Sequence, residues 1–467
     1  MPAPSSIPWK SPELYPSLPD TFTLEYRGRS IGLEAELRQL ESRLRAEGVV
    51  RGMTLATSAG DRLIDLLLLL LLPRLGCRLL ILDPALPPAR SRQLLAIGGA
   101  GMVFREGGEV ERLAGRGSHA REEGPAGWEE TKLLLATSGT TGEPRLVELS
   151  YGNLGAGAHA ANGLLGLSPG DRWLACLPTH HVGGTAILFR CLLAGAGVVL
   201  LERFDAGQVL EALESGAITH LSLVPTMLQR LLHDSGRAVP PATLRVVLLG
   251  GAPARASLVQ AALDAGWPVC PSYGLTEAAS QVATLYPPPA RWVQGLAGKP
   301  LSHVQLRIDA AGRILLRGPS IARYRLDETG RRCQVDDGGW FTTSDLGHLD
   351  GEGRLWVLGR QDDVIITGGE KLHPVFLENE LGRCPGVVEV AVVGIQDARW
   401  GERLVVCYSG EASEKALECW ARERLQKHHR PRGFLRLSRL PRNALGKLQR
   451  LQLRQLAAER FQDSCDR

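Results

Sequence analysis

Residues 173–177, 198–201, 220–224 and 246–249 form short apolar segments separated by stretches of helical periodicity, and this alternation constrains the chain more than any other feature. Runs that short and that uniformly apolar read as buried strands, and buried strands joined by helices stack into a layered sheet-and-helix body. The same rhythm runs from about residue 30 to 101, where 79–82 is another such run and Gly or Pro closes each unit. After Pro300 the pattern shortens into strands punctuated by Gly312, Gly318, Gly338, Gly339, Gly351 and Gly353. A polar junction at 359–363 leads into a compact α+β stretch with strands at 387–393 and 404–408 and a helix at 413–427. The expected fold is therefore α/β. A large N-terminal domain of layered α/β subdomains plus a β-rich segment is followed by a small α+β C-terminal domain of ordinary domain size.

Composition narrows the classes. With 467 residues, 44% hydrophobic and 22% charged, the chain is a globular protein of about two or three domains and not a disordered one. A net charge of +4 is too small for a surface that is basic throughout, so nucleic acid is not an expected partner. Nine cysteines without C-x-x-C pairs argue against a zinc module or a disulfide framework and for reduced thiols in the cytoplasm. The run at 66–72 is bounded by Asp65, Pro73 and Arg74, far short of the roughly 20 apolar residues a bilayer needs, so it reads as a buried helix. No basic segment followed by an apolar one opens the chain, so export is disfavoured. The Gly- and charge-rich stretch 105–130 reads as a surface connection.

Six polar clusters interrupt the apolar pattern. The first, in LLLATSGTTGEPR, places Thr137, Ser138, Gly139, Thr140, Thr141 and Gly142 after an apolar run. Hydroxyls and close-approaching glycine backbone suit a polyphosphate, although the Walker spacing is absent and such a cluster alone is more often a polar turn. The second is SYGLTEAASQ, residues 272–281, where Thr276 and Glu277 set a hydroxyl beside a hard carboxylate ligand suited to phosphate and Mg²⁺. The bland alternative is a helix start with Glu in its first turn. The third, VLLGGAP, puts Gly250, Gly251 and Ala252 at the end of a buried strand, where a flat ring could lie against backbone or the chain could simply turn. In GWFTTSDLGHLD, Asp345 can accept from two ribose hydroxyls; GRQDD sits at the junction; and PRNALGK ends on Lys447, which in isolation is only a surface charge.

In this order and spacing the clusters resemble the adenylate-forming superfamily of acyl-CoA synthetases, peptide-synthetase adenylation domains and firefly luciferase, across essentially the whole chain. The resemblance implies two half-reactions: a carboxylate attacks the α-phosphate of ATP to give an acyl-adenylate, and a thiol, usually coenzyme A, then displaces AMP. It implies that Thr137 to Gly142 hold the β- and γ-phosphates and that Gly250, Gly251, Ala252, Ser272, Tyr273 and Gly274 frame the adenine. Thr276 would meet the α-phosphate, Glu277 would ligate Mg²⁺, and Asp345 and Arg360 would hold the ribose. Lys447 would bridge the carboxylate and the α-phosphate. The small domain would be mobile about Asp362, giving residues 1–361 and 362–467 as the two units and bringing Gly368 and Gly369 to a pantetheine channel. Two departures stand out: Arg145 and Leu146 replace the usual Lys-Gly after Pro144, which keeps charge but not geometry, and Ser344 replaces a glycine before Asp345.

The segments WLACLPTHHVGGTAILFR, ERFDAGQVLEAL, SLVPTMLQRLL and YGLTEAASQ are similar to the branch that joins 2-succinylbenzoate to coenzyme A in menaquinone biosynthesis. That substrate carries two carboxylates, and the one not activated needs polar partners. His181, Ser280 and Gln281 are the expected contacts, with His180 an open alternative to His181. Thr179 and His180 stand where the family usually has Leu-Phe, which implies a more polar pocket entrance. The alternatives are a ligase for another acid, a stand-alone adenylation enzyme, or a non-catalytic nucleotide binder. The resemblance also admits a homodimer.

Overall fold

The computed structural model describes residues 18–58, 60–105, 109–113, 132–138, 143–234, 239–397, 400–442 and 448–462. Gly139, Thr140, Thr141, Gly142 and Lys447 lie outside the described residues. The buried runs pair as parallel neighbours in the order Thr23–Tyr26, Gly197–Leu200, Arg172–Ala175, His220–Leu223, Val246–Leu249 and Val269–Leu275. Beyond Val269–Leu275 the sheet turns antiparallel through Ser280–Thr284, Leu296–Pro300, Leu355–Arg360, Phe341–Leu349, Arg313–Arg317 and Gln305–Ile308; with Arg29–Ser30 antiparallel to Thr23–Tyr26 at the other edge, the sheet has 13 strands among the described residues. The β-rich segment thus extends the sheet and is not a separate layer.

A second sheet, of eight strands among the described residues, has Arg78–Ile81 and Thr54–Thr57 at its centre. Its far edge is made by Tyr324–Asp327 and Gly330–Cys333, so the β-rich segment completes both sheets. Val110–Arg112 adds an edge strand antiparallel to Ala100–Phe104. Part of the stretch 105–130, expected as a surface connection, is therefore an edge strand: the open ladder edge of Ala100–Phe104 is capped by three residues.

Between the sheets runs the helix Arg62–Leu75. The Asp61 carboxylate caps it, accepting from the backbone N–H of Leu63 at 2.9 Å and of Ile64 at 3.3 Å, and Gly76 ends it in the left-handed region. Leu66 through Leu72 are buried on every side because the helix packs against elements all round. Burying each leucine is worth roughly 2 kcal/mol of transfer free energy. No helix among the described residues is long and apolar enough to cross a membrane.

The small domain is built on the hairpin Val387–Asp397 and Gly401–Gly410, with a separate apolar core on each face. Ser413 caps the helix Glu414–Arg424, as the sequence placed it to within a few residues. Arg450 holds the base of the domain together, pairing two-pronged with Glu378 at 2.7 and 3.0 Å and reaching Asp363 at 3.3 Å.

Candidate active site

The strand Val269–Leu275 carries several of the residues expected at the nucleotide. Its register slips between Tyr273 and Gly274, where the chain returns as Ser280–Thr284. A Cβ on Gly274 would stand 2.0 Å from the Ser280 carbonyl, so only glycine fits there. Thr276–Ala278 then form a 3₁₀ turn at the strand end, followed by Ala279 and Ser280 at φ 52° and 102°. Two consecutive non-glycine residues at positive φ store strain of order 1–3 kcal/mol each, of the kind held at binding sites. The Glu277 carbonyl accepts from the Ala322 N–H at 2.8 Å, which fixes the turn while leaving the carboxylate half-buried.

Tyr273, Asp345 and Arg360 come together across three strands. The Tyr273 hydroxyl donates to Asp345 Oδ2 at 2.6 Å, and Arg360 lies directly opposite Asp345 in the ladder, its Nε 3.8 Å from Oδ1. Burial first, and then the Asp345 charge, push the Tyr273 phenol well above its ordinary value, so it stays a donor. Thr343 Oγ1 accepts from the Asp345 N–H at 3.0 Å. Gly250 abuts Ser272: a Cβ there would lie 3.2 Å from the Ser272 carbonyl. The Tyr273–Asp345 hydrogen bond therefore brings the residues expected at adenine and at ribose together, although their strands are not adjacent in the sheet.

Lys132–Ser138 and Pro144–Ser150 pair antiparallel, with Thr137 opposite Arg145. The turn that carries Glu277 packs against Pro144–Ser150. Among the described residues no cluster of three or more His, Cys, Asp or Glu could hold a metal.

Beside Ser280 and Gln281, the expected acid contacts, stands Arg190, a residue the sequence reading did not single out. Arg190, on the helix Val182–Ala194, is 2% exposed, and its Nη2 donates to Gln281 Oε1 at 3.1 Å and to Ser280 Oγ at 3.3 Å. It also lies over the Trp173 ring, 5.2 Å from the centroid. Its Nε has no hydrogen-bond partner, and burial pulls its pKa down to about 10. No carboxylate offsets that cost among the described residues. Gln281, also 2% exposed, is engaged at both ends of its amide, donating in turn to Thr284 Oγ1, which bonds Ser272 Oγ at 3.1 Å. A hydrogen-bonded line thus joins the adenine side to Arg190. The detectable signal was a lone cation inside the otherwise apolar VGGTAILFRCLLA.

His181 is the N-terminal flanking residue of the same helix, and the His180 ring lies 4.3 Å from it, centroid to centroid. His180 Nε2 is 3.8 Å from Asp83 Oδ2; burial lowers the His180 pKa and Asp83 partly opposes this. Asp362 is exposed within the 3₁₀ turn Gln361–Asp363, where its carbonyl accepts from Arg454 at 3.3 Å. Gly368 and Gly369, both left-handed, make an exposed hairpin turn whose Gly368 N–H donates to the Trp400 carbonyl of the same domain at 2.8 Å. Arg255 reaches from the large domain to the small one, donating to the Val388 carbonyl at 2.7 Å.

A family model described as AMP-binding enzyme matches residues 31–324, and one described as AMP-binding enzyme C-terminal domain matches 377–447. The chain belongs to the AMP-binding enzymes. Among curated members of this family, 2-succinylbenzoate–CoA ligases of Bacillus thuringiensis subsp. konkukian and Bacillus cereus are each 40% identical to it over 341 residues, 71% of this chain and 71% of theirs. The o-succinylbenzoate CoA synthetase of Bacillus subtilis, solved with ATP and magnesium ion, superposes with a TM-score of 0.82 at 31% identity, covering 92% of this chain and 96% of that one. The same synthetase with its acyl-adenylate intermediate gives 0.81 at 31% identity over 92% and 94%. ATP-bound MatB from Rhodopseudomonas palustris gives 0.85 at 25% identity over 97% and 98%. The fold expected from the sequence, a large α/β domain with a small C-terminal one, is that of these AMP-binding enzymes.

Proposed function

We propose that this AMP-binding enzyme is an acid–thiol ligase that adenylates 2-succinylbenzoate with ATP and passes the acyl group to coenzyme A, yielding 2-succinylbenzoyl-CoA, AMP and diphosphate. The likeness to 2-succinylbenzoate–CoA ligases supports the reaction, and Arg190 is the observation that carries the acid. A buried guanidinium balanced only by neutral acceptors is a standing cost, which an incoming second carboxylate beside Ser280 and Gln281 would offset. Gln281 orients Arg190, and His181 lines the entrance.

In the first step an oxygen of the other carboxylate bonds to the α-phosphorus and diphosphate leaves; in the second the thiolate of coenzyme A attacks the acyl carbonyl and AMP leaves. Asp345 accepts from the ribose hydroxyls, with Tyr273 and Arg360 holding the carboxylate in place. Thr276 meets the α-phosphate, and Thr137 to Gly142 hold the outer phosphates. Bound Mg²⁺, with Glu277 as its protein ligand, supplies positive charge to those phosphates. Lys447 supplies positive charge where carboxylate and phosphate meet, an effect worth about 3 to 4 kcal/mol. The boundary between 361 and 362 is a hinge at Asp362, and its rotation brings Gly368 and Gly369 to the thiol's channel. The reaction is a step of menaquinone biosynthesis, and the cytoplasm is the compartment we propose for it.

The test is incubation with ATP, Mg²⁺, coenzyme A and 2-succinylbenzoate, against benzoate, a medium-chain fatty acid and no acid, reading thioester and AMP by mass spectrometry. Selective 2-succinylbenzoyl-CoA supports the reading; turnover only with another acid rejects the substrate and keeps the chemistry.

A further inference from the structure

The turn that carries His180 and His181 is fastened from beneath by a helix of the other sheet. The chain leaves the strand Arg172–Ala175, runs through residues 176–181 and enters the helix Val182–Ala194. Arg62, 5% exposed, donates to the carbonyls of Ala175 at 2.9 Å, Leu177 at 2.5 Å and Leu201, pinning the start of the turn. Its end is pinned by Thr185 Oγ1, which donates to the Thr179 carbonyl at 2.7 Å. Gly184 packs so closely that a Cβ would lie 2.1 Å from the Pro178 carbonyl. Between these points the Thr179 side chain points into the protein and donates its hydroxyl to Asp65 Oδ2.

Asp65 is one helical turn beyond Arg62 and is 5% exposed. Its other oxygen, Oδ1, accepts from Thr57 Oγ1 at 2.9 Å, and Thr57 ends a central strand of the eight-stranded sheet. Each carboxylate oxygen therefore has one hydroxyl, one from each sheet. A buried carboxylate is an expensive way to fill this space, since a pair of apolar side chains would pack there without desolvating a charge. What it supplies is direction: a hydroxyl held by an ionic acceptor has a fixed position that an apolar contact does not impose. Acidic residues face the turn at both polar positions: Asp65 accepts from Thr179, and Asp83 Oδ2 lies 3.8 Å from His180 Nε2.

We infer that Asp65 and Thr179 form a buried strut that sets the position of the His180–His181 turn and through it the binding of the acid, with Thr179 a positioning residue that does not touch substrate. The inference rests on the reading of His181 as an acid contact. Thr179→Val removes the hydroxyl at nearly constant volume, Thr179→Ser restores it, and Thr57→Val removes the other hydroxyl on Asp65 without altering the turn. Steady-state kinetics and thermal melts of these variants and of His181→Ala decide the matter.

The strut predicts that Thr179→Val raises KM for 2-succinylbenzoate about tenfold while KM for ATP stays within about twofold, as expected when a binding group is displaced at a distance. Thr179→Ser should return the acid KM to near the parent value. Thr57→Val should lower Tm comparably and leave the acid KM alone. Equal losses of Tm in Thr179→Val and Thr57→Val with no change in acid KM would overturn the strut as a positioning device. If His181→Ala leaves the acid KM unchanged, the role of His181 falls; a raised acid KM in Thr179→Val then still supports positioning of the turn, and an unchanged one rejects it.

Discussion

The nucleotide side and the acid side of the site treat charge in opposite ways. On the nucleotide side Asp345 faces Arg360 and Tyr273 at a partly solvated sheet end, so the charges offset one another before any ligand arrives. On the acid side Arg190 is sealed among neutral acceptors and Asp65 among hydroxyls, with Arg62 spending its donors on backbone carbonyls. A pre-balanced site accepts a ligand by exchanging hydrogen bonds. An unbalanced one selects a ligand whose charge completes it. On the proposed function, the first would serve affinity for ATP and the second the choice of acid.

The variant with the largest expected effect tests what the two sides share. Lys447→Ala should slow adenylate formation by roughly two to three orders of magnitude for every acid the enzyme accepts, read by single-turnover AMP-ester formation. The ratio between acids should not move. Arg190→Met comes next and separates the sides: kcat/KM for 2-succinylbenzoate should fall about a hundredfold, the scale of removing one partner of a buried charge pair, with KM for ATP little changed. Its melting temperature should hold or rise, because a desolvated cation is gone. Asp345→Ala is the mirror image, raising KM for ATP on the order of tenfold through lost charge-assisted hydrogen bonds and sparing the acid.

The last effect is on stability and not on turnover. Burial raises the Asp65 carboxyl from its ordinary 3.8 to about 6, against the lowering by the Thr179 and Thr57 hydroxyls. The fold therefore binds this proton more tightly than the unfolded chain does, and ionisation removes stability as pH rises through that window. Asp65→Asn has no such proton, so its stability relative to the parent should climb by up to about 3 kcal/mol between pH 4 and pH 6 and stay level above. Denaturant melts across that range check it; a constant difference would mean that Asp65 does not titrate there.

These two sides also differ in how far they could be read from sequence. The residues expected at the nucleotide lie in contiguous strand-end motifs: Thr276 and Glu277 come three and four residues after Tyr273, and Asp345 sits in its own turn-flanked strand. The buried strands and the small domain were legible for the same reason, since periodicity is local. The acid side depends on pairings between residues 91 or 114 positions apart, such as Arg190 with Gln281 and Asp65 with Thr179. Lone charges in apolar helices marked these residues, but only the crossing of two sheets supplies their partners. That the β-rich segment completes both sheets was hidden too, because strand pairing between Tyr324–Asp327 and Pro144–Ser150 leaves no trace in spacing.

The most direct measurement compares kcat/KM of the unmodified enzyme for 2-succinylbenzoate and for 3-benzoylpropionate, the same keto acid without its ring carboxylate, under saturating ATP, Mg²⁺ and coenzyme A. An acid side completed by a second carboxylate predicts a preference of roughly a hundredfold or more for 2-succinylbenzoate. Equal values for the two acids would contradict it.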